Sequence, residues 1–230
     1  MIVLGIETAA ELVGVALADD DGLRAGVWVR GSRRHAESLA PAVTHVLEQA
    51  GLPLRRVEAV AVDVGPGLFT GLRVGVATAQ GLAQGLGIGV VGVTSLDVLA
   101  HAAYEGGWPG PVAAVVDARR GEVFAATYRA GSVPDRPPAR YAPAELAGLL
   151  GAVAAEAGHP VLAVGTGARR YPDDLGPAVP AGASLAEPSP GALVAVATGR
   201  LAGGEPLLPP DRIRPVYLRE PDATINWATR

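Results

Sequence analysis

The sequence predicts a two-lobed α/β protein with mixed sheets. Three observations carry this. Three strand-like segments in a row open the chain, helix and strand patterns then alternate, and after a Gly/Pro-rich stretch, Gly106 to Pro111, the opening pattern partly returns. With 230 residues, 49% of them hydrophobic, the chain is long enough for one large domain or two lobes of about 100 residues each. The expected division is a first lobe over residues 1–105 and a second, reduced lobe with a Pro-rich tail over residues 106–230.

The first lobe opens with a meander: strands at Ile2 to Ile6, Val13 to Ala18 and Leu23 to Val29, with an acidic turn at Asp19 to Gly22. From His35 to Ala50, Leu39, Val43, Val46 and Leu47 recur at i, i+4, i+7 and i+8, one stripe of an amphipathic helix that Gly51 closes. Ala59 to Val64, apolar apart from Asp63, reads as a buried strand ending in Gly65-Pro66-Gly67. Gly71 to Gly85 follows as a thin helix rich in Gly and Ala, then a strand at Gly87 to Val93 and a helix at Ser95 to Ala103 with Ser95 as N-cap. The second lobe repeats strand (Val112 to Val116), turn (Asp117 to Gly121) and strand (Glu122 to Tyr128). A Pro-rich loop (Pro134 to Pro138), a helix near Pro143 to Ala155, a strand at Val161 to Val164, a helix near Pro190 to Leu201 and an extended tail from Pro206 complete it. Val74 to Leu96 is uncharged and long enough to span a bilayer, but its six Gly, two Gln and midway change of pattern read as a buried helix feeding a buried strand. Because the first basic residue is Arg24 and a positively charged n-region is missing, a signal peptide is not expected, and the protein is expected to be cytoplasmic.

Composition removes much chemistry. Without Cys there is no thiolate nucleophile or Cys-based metal site, and all 19 basic residues are Arg, which excludes Schiff-base lysines and the Lys of a phosphate loop. Coding bias can account for part of this. A net charge of −4 argues against a broad nucleic-acid face, though the Arg pairs at 33/34, 55/56, 119/120 and 169/170 could make local contacts. His35 and His45 on one helix fall about 80° out of line and about 15 Å apart along its axis, too far to share a metal ion. Gly87, Gly89 and Gly92 match Gly-x-Gly-x-x-Gly, but a helix precedes them and strand-like residues lie between, the reverse of a dinucleotide fingerprint. Gly165-Thr166-Gly167 reads as a plain turn or a short anion-facing one. No Gly-x-Ser-x-Gly elbow occurs. Glu7, with Thr8, and Asp117, with Arg119, each fall just past a lobe-opening strand, where the two carboxylates could hold Mg²⁺ and a nucleotide across a cleft.

The strongest local signal is Asp63 to Arg73. Gly65, Pro66 and Gly67 make a rigid turn, Thr70 can cap the following helix, and Arg73 sits in the first turn, where the helix dipole disfavours a cation and an acidic or carbonyl partner is expected. A tight connection with no ligand explains the same residues.

Gly65-Pro66-Gly67-Leu68-Phe69-Thr70-Gly71-Leu72-Arg73, with Leu4-Gly5-Ile6-Glu7-Thr8, Asp117-Ala118-Arg119-Arg120-Gly121-Glu122-Val123-Phe124 and the closing Tyr217-Leu218-Arg219 with Ala223, resembles the bacterial TsaB (YeaZ) family over nearly the whole chain. Leu68 departs from the Ser more usual there. The resemblance implies a fold related to actin, Hsp70 and sugar kinases, and a role in tRNA modification. TsaB partners TsaD and, with TsaE, places threonylcarbamoyl on the adenosine 3′ of the anticodon in ANN-decoding tRNAs. TsaD carries a His-x-x-x-His metal site, and the segment that aligns with it, Thr94 to Leu99, has no His. The chain is thus expected to be a non-catalytic scaffold that stabilises TsaD and helps recruit TsaE, pairs with a second copy when TsaD is absent, and meets tRNA only through the complex. No cofactor of its own is expected, with weak ATP or ADP and Mg²⁺ only at the level of the complex. Leu39, Val43, Leu72, Arg73, Val76 and Gln80 on the two first-lobe helices are the candidate partner contacts. The competing reading is an ATP-dependent kinase or hydrolase using Glu7 and Asp117. A metalloprotease would need a metal site that these His residues do not build.

Overall fold

In the computed structural model, which describes residues 1–30 and 35–218, the opening meander is β1 (Val3–Glu7), β2 (Leu12–Asp19) and β3 (Gly22–Arg30), paired antiparallel. There follow α1 (His35–Ala50), β4 (Ala59–Gly65), α2 (Phe69–Leu86), β5 (Gly89–Thr94) and α3 (Ser95–Glu105). β4 runs parallel to β1 and β5 parallel to β4, giving the order β3-β2-β1-β4-β5. The second unit is β6 (Val112–Arg119), β7 (Glu122–Tyr128), β8 (Ala139–Tyr141), α4 (Pro143–Ala157), β9 (Leu162–Val164), α5 (Thr166–Arg170) and β10 (Val179–Pro180). Its order is β8-β7-β6-β9-β10, again three antiparallel strands followed by two parallel ones. The duplication suggested by the returning pattern is therefore matched strand for strand. The short β8 and β10 gave no sequence signal, because two or three residues cannot show a period.

Strand alternation sorts the first core into two faces. Leu4, Ile6, Val60 and Val62 face α1 and α2, where Leu39, Val43, Val46, Leu47, Val76 and Ala79 meet them. Val3, Ala59, Ala61, Val91 and Val93 face the other way, onto α3 and α6 (Pro190–Ala202). α6 follows the hinge in sequence yet lies across β1, β2 and β3. Its close approach requires a missing side chain, since a Cβ on Gly5 would fall 2.4 Å from Val194 Cγ1. The second core is built the same way, with Leu146, Leu150 and Val153 of α4 on Ala113, Val115, Val123 and Ala125. α3 packs its Leu96, Leu99, Ala100 and Ala103 on the opposite face of that sheet. Residues 106–230 thus do not stay in one lobe, because α6 covers the first sheet.

The segment after α6 also returns to the first lobe as extended chain. Leu208 forms a bridge with Val90, Ile213 is buried, and the Val216 N–H donates to Val64 O at 2.7 Å. This accounts for the misleading glycine pattern. Gly87 closes α2 in the left-handed conformation (φ 69°), while Cβ atoms on Gly89 and Gly92 would strike Leu207 and Ile213 of the returning strap at 2.5 and 2.7 Å. Among the described residues no helix is long and apolar enough to cross a membrane, and Val74 to Leu96 divides into α2, β5 and the start of α3.

Two caps differ from expectation. Thr94, not Ser95, caps α3 by accepting the Asp97 N–H at 3.1 Å, because Ser95 Oγ is drawn inward to Asp63 Oδ1 at 2.7 Å. α2 starts at Phe69 with Leu68 at the N-cap, so Thr70 lies inside the first turn, exposed, and caps nothing. α1 runs through Pro41 on its exposed face, where the carbonyl freed by the missing N–H can meet water.

Candidate functional site

Between the two sheets opens a cleft of about 850 Å³. The Gly65 to Phe69 loop forms part of one wall. Gly65 adopts φ 104°, the Gly65–Pro66 bond is cis, and the Leu68 N–H donates to Ala9 O at 2.7 Å. A Cβ on Gly67 would lie 2.2 Å from that same carbonyl, so only glycine lets the loop close on the turn after β1. The facing wall is the end of β6 and both ends of the short α5, with Asp117, Arg119, Thr166, Arg169 and Arg170.

The cleft does not bring Glu7 and Asp117 together. Glu7 and Thr8 are wholly buried. Thr8 Oγ1 donates to Gly71 O at 2.9 Å beneath α2, which is why Gly75 there has no room for a side chain. Glu7 Oε1 accepts the Ala9 N–H at 2.8 Å, and its carboxyl meets that of Asp63. The parallel register pairs Ile6 with Val62, so the next residue on each strand, Glu7 and Asp63, points to the same face. Burial, then the nearby Asp63 charge, hold Glu7 well above the ordinary carboxyl range, so it stays protonated and donates to Asp63. Burial pushes Asp63 up to about 6, against the lowering effect of its bonds from Glu7, the Gly65 N–H and Ser95. Asp63 is the site residue whose role the sequence reading missed. A single carboxylate in an apolar strand, which must find a partner when buried, was its signal.

Both acids bind protons more tightly folded than unfolded. The stability tied to them is full below the unfolded values, near 4, and falls as pH rises through the folded ones. Glu7→Gln keeps an N–H donor for Asp63 without an ionisable proton. It should match the wild type at pH 5 and gain on it at alkaline pH, by up to about 1.4 kcal/mol per pH unit where Glu7 titrates. Urea midpoints measured from acid to alkaline pH check this, and an equal loss at every pH would refute it.

Asp117 does line the cleft, with its side chain 8% exposed. Its Oδ1 accepts the Arg119 N–H at 2.9 Å, and its Oδ2 lies 3.0 Å from Arg170 Nη1 and 3.3 Å from Arg119 Nη1. Among the described residues no three His, Asp or Glu side chains converge as metal ligands. Arg73 has an aromatic partner in place of the acidic or carbonyl one expected. Its guanidinium lies 3.8 Å above the Phe69 ring, one turn earlier on the exposed face, and Nε donates to Tyr217 Oη at 3.2 Å.

The segment without His carries a different construction. Asp97, nearly buried, accepts Tyr128 Oη at 2.8 Å and Arg200 Nη2 at 2.6 Å, joining α3, β7 and α6. Burial, then the Asp97 charge, raise the Tyr128 phenol far above its ordinary value.

The expected partner surface needs correction. Leu39, Val43, Leu72 and Val76 are buried against the chain's own sheet, because the most apolar stripe of each helix is the one its core requires. Gln80 is half-buried, with Nε2 donating to Ile213 O at 3.2 Å, and Arg73 is exposed. The outward face of α2 presents Arg73, Ala77, Gly81 and Gly85, each one turn apart, and Cβ atoms on Gly81 and Gly85 would meet nothing within 4 Å. Arg33, Arg34, Arg219 and Ala223 lie outside the described residues.

Two sheets of the same strand order flanking a cleft define a duplicated, two-lobed α/β fold of the actin and sugar-kinase type. The fold is shared with the ROK hexokinase of Thermus thermophilus, at a TM-score of 0.50 and 16% identity over 88% of this chain and 100% of that one. A family model described as "TsaD: tRNA N6-adenosine threonylcarbamoyltransferase" matches residues 29–157. The TsaB protein of Escherichia coli K12 is 38% identical over 129 residues, which are 56% of this chain and 55% of that protein. YeaZ from Pseudomonas aeruginosa superposes at a TM-score of 0.83 with 30% identity, covering 94% of this chain and 99% of that one. The chain belongs to the TsaB/YeaZ family. Its match spans about half the length of the curated relatives.

Proposed function

We propose that this chain is a subunit of the machinery that makes threonylcarbamoyladenosine in tRNA, and that it acts there as a scaffold for a TsaD-type catalytic partner. The observation that carries the scaffold reading is the fate of the segment aligned with the TsaD metal site: where that partner places His ligands, this chain holds Asp97 bonded to Tyr128 and Arg200. The relatives whose names state a role, among them the TsaB proteins of Escherichia coli and Bacillus subtilis, are named for threonylcarbamoyladenosine biosynthesis in tRNA, and these names supply the pathway. The outer face of α2 is the docking surface in this reading, since small residues let a second helix approach closely. TsaE joins the assembled pair, a second copy of this chain takes the same face when TsaD is absent, and tRNA is met through the complex. ATP or ADP with Mg²⁺ belongs to the assembly. The kinase reading loses its main support, because Glu7 is sealed beneath the cleft with Asp63.

The test is reconstitution of tRNA modification with TsaD and TsaE, omitting each subunit in turn. This chain alone should transfer nothing, and its omission should abolish or sharply reduce transfer. Transfer by the isolated chain would overturn the reading, as would full activity without it.

A further inference from the structure

The cleft carries more positive charge and more apolar wall than a scaffold needs. Five Arg and three carboxylates line it, in a chain whose net charge is −4. Asp117 alone serves both Arg119 and Arg170, which leaves one positive charge over and several guanidinium N–H groups unused at that spot. Beside them the Arg169 guanidinium has no ion pair or hydrogen bond among the described residues. Arg119 is also held in the left-handed region, at φ 63°, a conformation that costs a residue other than Gly or Asn about 1 kcal/mol or more. A second group points to an occupant of different polarity. Glu187 lines the same cleft with its side chain 9% exposed; its Oε1 holds Arg30 at 2.6 Å, while Oε2, buried, has no partner among the described residues. A buried carboxylate oxygen left unbonded is costly, and a hydrogen-bond donor on a ligand would satisfy it. Phe69 and Tyr217, each about half exposed, add an aromatic wall.

We infer that the interlobe cleft binds an acylated amino-acid carboxylate, free or as a peptide C-terminus: its carboxylate on Arg119, Arg169 and Arg170, its N–H on Glu187 Oε2, and an apolar side chain against the aromatic wall. Guanidinium groups match a carboxylate with paired N–H donors. One small anion next to an amide N–H places both charges of the lining in use. A polyphosphate bound through Mg²⁺ fits less well, because Glu7 is wholly buried and does not line the cleft, and Asp117 is already shared by two Arg.

Calorimetric titration of the full chain tests this with four probes: N-acetyl-leucine, its C-terminal amide, its ester analogue 2-acetoxy-4-methylpentanoate, and ADP with Mg²⁺; acetyl-Ala-Ala-Leu is the peptide arm. The acid should bind, and the amide and ester should each bind about tenfold or more weakly, the loss of one charge-assisted bond. Arg169→Ser, at an exposed position without an ion pair or hydrogen bond among the described residues, should weaken the acid by about the same factor while leaving the melting temperature unchanged. Equal binding of peptide and N-acetyl-leucine assigns the site to a free acid; tighter binding of the peptide assigns it to a chain terminus. The inference is overturned if the amide binds as well as the acid, if Arg169→Ser changes nothing, if ADP alone binds, or if no acid binds at millimolar concentration.

Discussion

Asp97→Ala should lower the unfolding free energy by about 3–5 kcal/mol, the usual cost of removing one member of a buried, hydrogen-bonded ion pair. The reason is what it leaves behind. Arg200, 23% exposed, would keep only its 3.3 Å bond to Gly92 O and a marginal 4.0 Å approach to Glu205, and the wholly buried Tyr128 hydroxyl would lose its acceptor. Because the three side chains come from α3, α6 and β7, the loss should loosen the second lobe against α6 as well as lower the global midpoint. Asp97→Asn keeps an acceptor for Tyr128 and should cost less. Tyr128→Phe, combined with Asp97→Ala in a double-mutant cycle, should show coupling between the two. Chemical denaturation measures all of these, and a loss under about 1 kcal/mol for Asp97→Ala, the size of an exposed pair, would show that the network does not bind the lobes together.

Gly81→Arg should separate folding from assembly. The position faces open space on α2, so a side chain there disturbs nothing in the monomer, and replacing a mid-helix glycine should stabilise the helix by up to about 1 kcal/mol. A partner helix seated on Ala77, Gly81 and Gly85 would meet a long charged side chain at the closest point of approach. Co-elution with the TsaD-type partner proposed above should be lost, an affinity change of about a hundredfold or more, while the melting temperature holds or rises. Gly81→Ala should raise stability and weaken the complex only modestly. Unchanged co-elution of Gly81→Arg would move the docking surface off this face. Substitutions at Leu39 or Val43 cannot make this distinction, since both are core residues and their truncation also destabilises the first lobe, by about 2–5 kcal/mol for Leu39→Ala.

The element order was legible because it is written in local periods. The stripe Leu39, Val43, Val46 and Leu47 and the alternation around β1 each need only a few neighbouring residues to appear. The same signals misled where a local pattern had two explanations. An apolar stripe marks a face that is covered, but not by what, and at Leu39 and Val43 the cover is the chain's own sheet. Thr70 and Ser95 have the chemistry of caps, yet position in the turn excluded one and a stronger acceptor, Asp63, recruited the other.

By itself the sequence determined the duplicated α/β architecture, the turn at Gly65 to Gly67 and the family to which its motifs belong. These depend on residue order and on backbone geometry that glycine and proline impose locally. Only the tertiary structure decided that Glu7 pairs with Asp63, that α6 and the strap from Leu207 to Val216 return to the first lobe, and that Arg119, Arg169 and Glu187 line one cleft. Each of these joins residues tens of positions apart, and such contacts follow from strand register and the crossing of elements between lobes, which no window of neighbouring residues contains.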